Sequence, residues 1–142
     1  MTETGKIAVE FLLEGLNFDT AGAASSAIKR KLQQLGVKAE IIRNVAISAY
    51  EAEINVIIHA HNGLIKAYIF PDRTEILIED QGPGIPDIDL AMQEGFSTAT
   101  DEIRAIGFGA GMGLPNMLRC SDDFAISSEV GVGTKIKMVF QH

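Results

Sequence analysis

The chain opens on an apolar, partly β-branched run over residues 6–14 (KIAVEFLLE), which reads as a first strand. Asp19 or Thr20 can N-cap a helix running through Leu35, with Gly36 as its stop. A second, longer helix is predicted from about Ala39 to Ala60, and Asn62-Gly63 is a turn signal. Two strands follow near 64–70 and 74–80, joined as a hairpin by Pro71-Asp72-Arg73. The segment DQGPGIPD (80–87) is too rich in Gly and Pro to be regular, and 87–93 can form a short helix. Residues 94–113 carry five glycines with little periodicity and read as a long mobile loop, a lid. A helix is expected over Leu114–Leu118, then strands near 123–128 and 133–140 around the turn Gly131-Val132-Gly133. Clustered strands with helices between them predict an α+β fold. The expected form is a two-layer α/β sandwich: a mixed, mostly antiparallel sheet with helices on one face, in a single domain over 1–142.

Composition agrees with that picture and narrows the setting. With 142 residues, 46% hydrophobic and 22% charged, the chain can bury one real core. A formal net charge of −7 argues against direct nucleic-acid binding, which runs on basic surface. Cys120 is the only cysteine, so no internal disulfide forms, as fits a reducing compartment. Met1–Gly5 is polar, without a signal-peptide run, and no stretch reaches the roughly 18 apolar residues of a membrane span. The expectation is a soluble cytoplasmic protein without a membrane partner.

Four places carry candidate chemistry. On the second helix Asn44, Ser48, Glu51, Asn55 and His59 recur at spacings of 4, 3, 4 and 4, which puts them on one side. Because the helix is otherwise mostly apolar, the stripe is either a polar seam facing a ligand cavity or a solvated face, the two readings being evenly balanced. Arg43, Tyr50 and Glu53 compete for the solvent face from another side of the helix. Glu51 and Asn55, one turn apart, offer a base or oxygen ligands suited to Mg²⁺.

In the strand 74–80, Ile76, Ile78 and Asp80 share a face. A carboxylate among isoleucines needs a donor, and an exocyclic amine such as that of adenine is a suitable one. Gly82 and Gly84 then allow a sharp turn and close approach. A plain Asp-initiated turn is the rival reading, favoured when these residues are judged alone. Gly107-Phe-Gly-Ala-Gly-Met-Gly113 alternates glycines ahead of a helix, where free N–H groups make a phosphate site. Neither a Walker A loop nor a Rossmann turn fits its spacing. Thr134 shares the apolar face of the last strand with Ile136, Met138 and Phe140, and its hydroxyl can donate and accept.

Together these motifs resemble the nucleotide-binding Bergerat fold of the GHKL superfamily over nearly the whole chain. Its boxes match Glu51-Ala-Glu-Ile-Asn55, Asp80-Gln-Gly82-Pro-Gly84, the glycines Gly107–Gly113 and Gly133-Thr134. The chain is especially similar to the bacterial anti-sigma-factor and switch-protein serine/threonine kinases, through Glu79-Asp-Gln-Gly-Pro-Gly-Ile-Pro-Asp87 and Gly95-Phe-Ser-Thr98. Tyr50 stands where that family often has Ser, Ala60 where it often has Gly, and Glu53 is an added carboxylate.

The resemblance implies ATP and Mg²⁺ as cofactors and Glu51 as general base toward a protein serine or threonine. Asn55 would ligate the metal. Asp80 and Thr134 would hold the adenine amino group beside Gly82 and Gly84. Gly107, Gly109, Gly111, Met112, Gly113 and Leu114 would wrap the phosphates, and Arg104 would reach them from the lid (about 94–113). The partner implied is a small anti-sigma-antagonist protein of STAS type, a sigma factor or a phosphatase, in transcription or stress regulation. A nucleotide-gated binding protein without phosphotransfer is the alternative. The ATP module of a histidine kinase is disfavoured, because no dimerisation helix with a phospho-accepting His is present. The first strand reads as core, with a homodimer through its edge left open. His59 and His61 are too few for zinc.

Overall fold

The computed structural model of the chain describes residues 7–15, 17–59, 62–93 and 113–142. Strand β1 (Ile7–Glu14) leads through a single 3-10 turn (Phe18–Thr20) to helices α1 (Ala23–Gln34) and α2 (Ala39–His59). Strands β2 (Asn62–Ile69) and β3 (Arg73–Gln81) form a hairpin, with the Phe70 amide donating to the Arg73 carbonyl at 2.8 Å across the bend. The short helix α3 (Ile88–Ala91), helix α4 (Gly113–Cys120) and strands β4 (Asp123–Glu129) and β5 (Gly133–Gln141) complete the order expected from the sequence. The strands form one sheet, β1-β2-β3-β5-β4, and every neighbouring pair is antiparallel.

Strand alternation sorts the sheet into two faces. Ile65, Ala67 and Ile69 of β2, Thr74, Ile76 and Ile78 of β3, and Ile136, Met138 and Phe140 of β5 point into the core. Ile28 and Leu32 of α1, Val45, Ala49, Ala52 and Val56 of α2 and Met117 of α4 meet them there. The opposite face carries Lys66, Glu75, Glu79, Lys135 and Lys137, none of them buried. This is the α+β architecture the sequence predicts, with the apolar face of the sheet under the helices, although the sheet is wholly antiparallel where a mixed, mostly antiparallel one is expected.

The strand register aligns cross-strand rows. Phe11, Ile65, Ile78, Ile136 and Ile126 form an apolar row. The next row toward the C-terminal end of β3 runs Leu13, Gly63, Asp80, Thr134 and Ser128. The core face thus turns polar at one end, and the candidate residues of β3 and β5 stand there.

Several local expectations change. Neither Asp19 nor Thr20 caps α1, because both lie in or before the 3-10 turn. The helix starts at Ala23 after Gly22, whose φ of 92° suits glycine. Asn62-Gly63 is no turn but the start of β2. Its glycine is needed because α2 crosses there: a Cβ on Gly63 would meet Val56 Cγ1 at 2.5 Å. Glu53 does not seek solvent. It is 1% exposed, and its carboxylate accepts from the Ala24 and Ser25 amides, each at 3.2 Å. A side chain from α2 thus takes up the free N–H groups of α1, where no local side chain does.

Candidate functional site

Helix α2 builds one side of the site. Residues 44, 51, 55 and 59 are half-buried and Ser48 is fully buried, so the stripe is a seam and not a solvated face. Glu51 sits against α4, whose Asn116 Nδ2 donates to Glu51 Oε1 at 3.5 Å. The orientation of that amide is fixed from behind. Arg119 donates to Asn116 Oδ1, and a guanidinium can only donate, so the NH₂ end must face Glu51. Burial pushes the Glu51 carboxyl above its ordinary 4.5, and the Asn116 contact partly offsets this.

One turn on, Asn55 packs against the start of α4. A Cβ on Gly113 would lie 2.9 Å from Asn55 Nδ2 and 3.0 Å from its Oδ1, so glycine here lets the Asn55 amide approach the start of α4 closely. The next residue of α2, Val56, presses on Gly63, and Gly63 pairs with Asp80. These contacts join the helix seam to the polar end of the sheet.

At that end Asp80 Oδ1 accepts from the Thr134 amide at 3.1 Å. Burial raises the Asp80 carboxyl above 3.8, opposed by the backbone N–H groups of Thr134 and Gly82. Gly133 has φ 154°, and a Cβ there would strike the Asp80 carbonyl oxygen at 1.9 Å, so the approach of β5 to β3 at the site depends on this glycine. Gly84, with φ 77°, lets the turn after β3 close on the β4–β5 turn, where a Cβ would meet the Glu129 carbonyl at 2.5 Å. The Gly131 amide donates to the Pro83 carbonyl at 2.9 Å and completes that seam.

The structure therefore brings Glu51, Asn55 and Gly113 together at the α2–α4 contact, and Asp80, Gly82, Gly84 and Thr134 at the end of the sheet. Leu114 is buried in the core. Arg104, Gly107, Gly109, Gly111 and Met112, with nearly all of the lid, lie outside the described residues. His59 is half-buried, which lowers its pKa below 6.5, and His61 is outside the described residues. Among the described residues no group of three His, Cys, Asp or Glu side chains can hold a metal.

Sequence reading missed two contributors. Asn116 carries no motif, and only the packing of α4 on α2 reveals it. Ser128 was within reach, since the tight turn at 130–132 places it directly opposite Thr134.

A layer of helices over an antiparallel sheet, with a carboxylate–amide pair on one helix and an aspartate at the end of a central strand, defines a class of ATP-binding domain. The chain belongs to the histidine kinase-like ATPase domain family, whose model matches residues 17–140. It is 33% identical over 121 residues to the serine/threonine-protein kinase RsbT of Bacillus subtilis (strain 168), covering 82% of this chain and 85% of that one. It is 32% identical over 143 aligned positions to the anti-sigma F factor of Thermoanaerobacter sp. (strain X514), covering 97% and 94%. The anti-sigma F factor of Caldanaerobacter subterraneus subsp. tengcongensis is 34% identical over 110 residues, covering 74% and 73%. Within its family the chain is thus of the switch-kinase type. Among the described residues no helix is long and apolar enough to cross a membrane.

Proposed function

We propose that the protein is an ATP-dependent serine/threonine kinase of the cytoplasm that phosphorylates a small anti-sigma-antagonist partner of STAS type. The observation that carries this reading is Glu51: a half-buried carboxylate with one long hydrogen bond, one helical turn from an amide that packs on a helix start. A helix that only bound nucleotide would have no use for a poised base at that position. The described residues also fit the nucleotide. Asp80 offers carboxylate oxygens to an exocyclic amine, and the glycine contact at Gly113 holds Asn55 beside the first backbone amides of α4.

ATP with Mg²⁺ supplies the transferable phosphoryl group. Asn55 would be the protein ligand for the metal, whose charge would offset that of the triphosphate. Glu51 accepts the proton of the attacking hydroxyl while the new O–P bond forms and the bond to ADP breaks. Asp80 and Thr134 would hold the base; the phosphate contacts expected of Arg104 and the lid glycines Gly107, Gly109 and Gly111 fall outside the described residues.

The names of the anti-sigma F factor relatives favour a second reading, in which the nucleotide-loaded protein holds a sigma factor. The two can coexist in one protein. A transfer assay with γ-labelled ATP against candidate partner proteins separates them. Label reaching a partner serine or threonine supports the kinase, whereas nucleotide-dependent complex formation without label supports the holding role.

A further inference from the structure

Ser128 holds three contacts at the end of the sheet. Its Oγ accepts from the Ile85 amide at 2.7 Å, donates to the Gly133 carbonyl at 3.1 Å and lies 2.9 Å from Thr134 Oγ1. A serine hydroxyl has one proton and two lone pairs. An amide N–H can only donate to it, and a carbonyl can only accept from it. The single proton therefore goes to Gly133, and one lone pair takes the Ile85 amide. The second lone pair must receive the proton of Thr134, which is thereby turned toward Ser128 and away from Asp80.

We infer that Ser128 is a positioning residue that makes Thr134 a pure hydrogen-bond acceptor and so sets the base selectivity of the nucleotide site. The inference rests on the nucleotide reading above. With its proton committed to Ser128, Thr134 has only lone pairs left for a ligand. Asp80, directly opposite in register, is also an acceptor when ionised. Two acceptors opposite each other in the register favour an exocyclic amine, which has two N–H donors, and oppose a carbonyl oxygen at the same position. The site then selects a 6-amino purine over a 6-oxo purine through the direction of one hydroxyl proton. Ser128 also ties the turn at 82–86 to β4, through the Ile85 amide.

The test measures the affinity of the full-length protein for MgATP and for MgITP by calorimetry, with no turnover required. The wild type is expected to prefer ATP. In Ser128→Ala the Thr134 hydroxyl is free to rotate and donate, so the ATP:ITP preference should fall about tenfold, the worth of one hydrogen bond. Ser128→Thr keeps the hydroxyl and should keep the preference. Ser128→Cys, a near-isosteric replacement with a weak donor, reads the same ratio if the alanine variant folds poorly. Equal loss of affinity for both nucleotides in the alanine and cysteine variants would reduce Ser128 to a structural tie and overturn the inference. A wild type that binds ATP and ITP equally would overturn it too. A wild type that binds neither would instead remove the nucleotide reading on which it stands.

Discussion

Glu51 and Glu53 are the same residue type on the same helix, two positions apart. At about 100° per residue that separation puts them on nearly opposite sides of α2, and each meets a different neighbour. Glu53 faces the start of α1, where two backbone amides are free to donate, and both of its oxygens are engaged. Glu51 faces the side of α4, where one side-chain amide reaches one oxygen at 3.5 Å. The buried carboxylate is the better satisfied, and the half-buried one is left with acceptor capacity to spare. What decides whether a carboxylate holds the fold together or is available for chemistry is what the facing helix presents to it. A helix end offers fixed donors, whereas a helix side offers only what its sequence supplies.

The largest effect that separates the two should come from Glu51→Ala. Without a base at this position phosphotransfer should fall by at least about a hundredfold, with the fold and ATP binding retained. Single-turnover transfer and nucleotide affinity, measured side by side, check this. Normal transfer in the variant would reject Glu51 as the base.

The complementary change, Glu53→Ala, should leave the chemistry of the folded molecules alone and lower stability. It strips two buried N–H groups of α1 of their only side-chain acceptor and opens a cavity against α2. A loss of about 3 kcal/mol is expected. Urea unfolding gives the number, and transfer per folded molecule should stay at the wild-type value. Glu53→Gln should fall between, since its one carbonyl oxygen can serve one amide while its NH₂ faces the other. If Glu53→Ala instead matched the wild type in stability, the capping role would be wrong.

The pH dependence sharpens the contrast by a smaller step. Glu51 works as a base only when ionised, and burial raises its pKa above 4.5. The acid limb of transfer should therefore lie above 4.5, with rates falling as pH falls through it. The Asn116 amide favours the ionised form, so Asn116→Ala should move that limb to higher pH. The move should be small, because a 3.5 Å contact is at the outer edge of hydrogen bonding. For stability the sign is the reverse of the usual carboxylate. The folded state binds this proton more tightly than the unfolded chain does. Its contribution is present below 4.5 and is lost as pH rises through the raised value. Glu51→Gln, uncharged throughout, should remove that slope, and pH-dependent unfolding curves of the two proteins would reveal it.

These contrasts also mark what the sequence could and could not tell. Order and type of the elements were legible because each carries its own period: alternation in β2, β3 and β5, and a continuous apolar helix in α2. Asp80 and Thr134 were legible as neighbours in kind, since each stands at the polar end of an otherwise apolar strand face. The Glu53 role was not, because the cap for α1 comes from a residue 28 to 29 positions away and no local spacing encodes it. The turn read at Asn62-Gly63 failed for a related reason. A glycine kept for close helix packing has the same sequence signature as one kept for a turn. Asn116 and the direction of the Thr134 proton depend on which elements pack together, which is a property of the assembled fold.

The smallest expected effect has the opposite sign and tests the same idea on a third polar residue of α2. Ser48 is fully buried, and its hydroxyl has no partner among the described residues. It stands within one turn of Val45, Ala49 and Ala52, all buried in the same core. A hydroxyl taken from water without a partner costs stability. Ser48→Ala removes that cost and the slightly poorer helix propensity of serine, and leaves a void of only one oxygen atom. The variant should gain about 1 kcal/mol, seen as a higher urea midpoint at unchanged slope, with transfer unaffected. Both Ser48→Ala and Glu53→Ala delete a buried polar group from one helix, yet the first should stabilise and the second destabilise. A destabilised Ser48→Ala would mean that the hydroxyl has a partner after all, and that burial alone does not distinguish the satisfied group from the orphan.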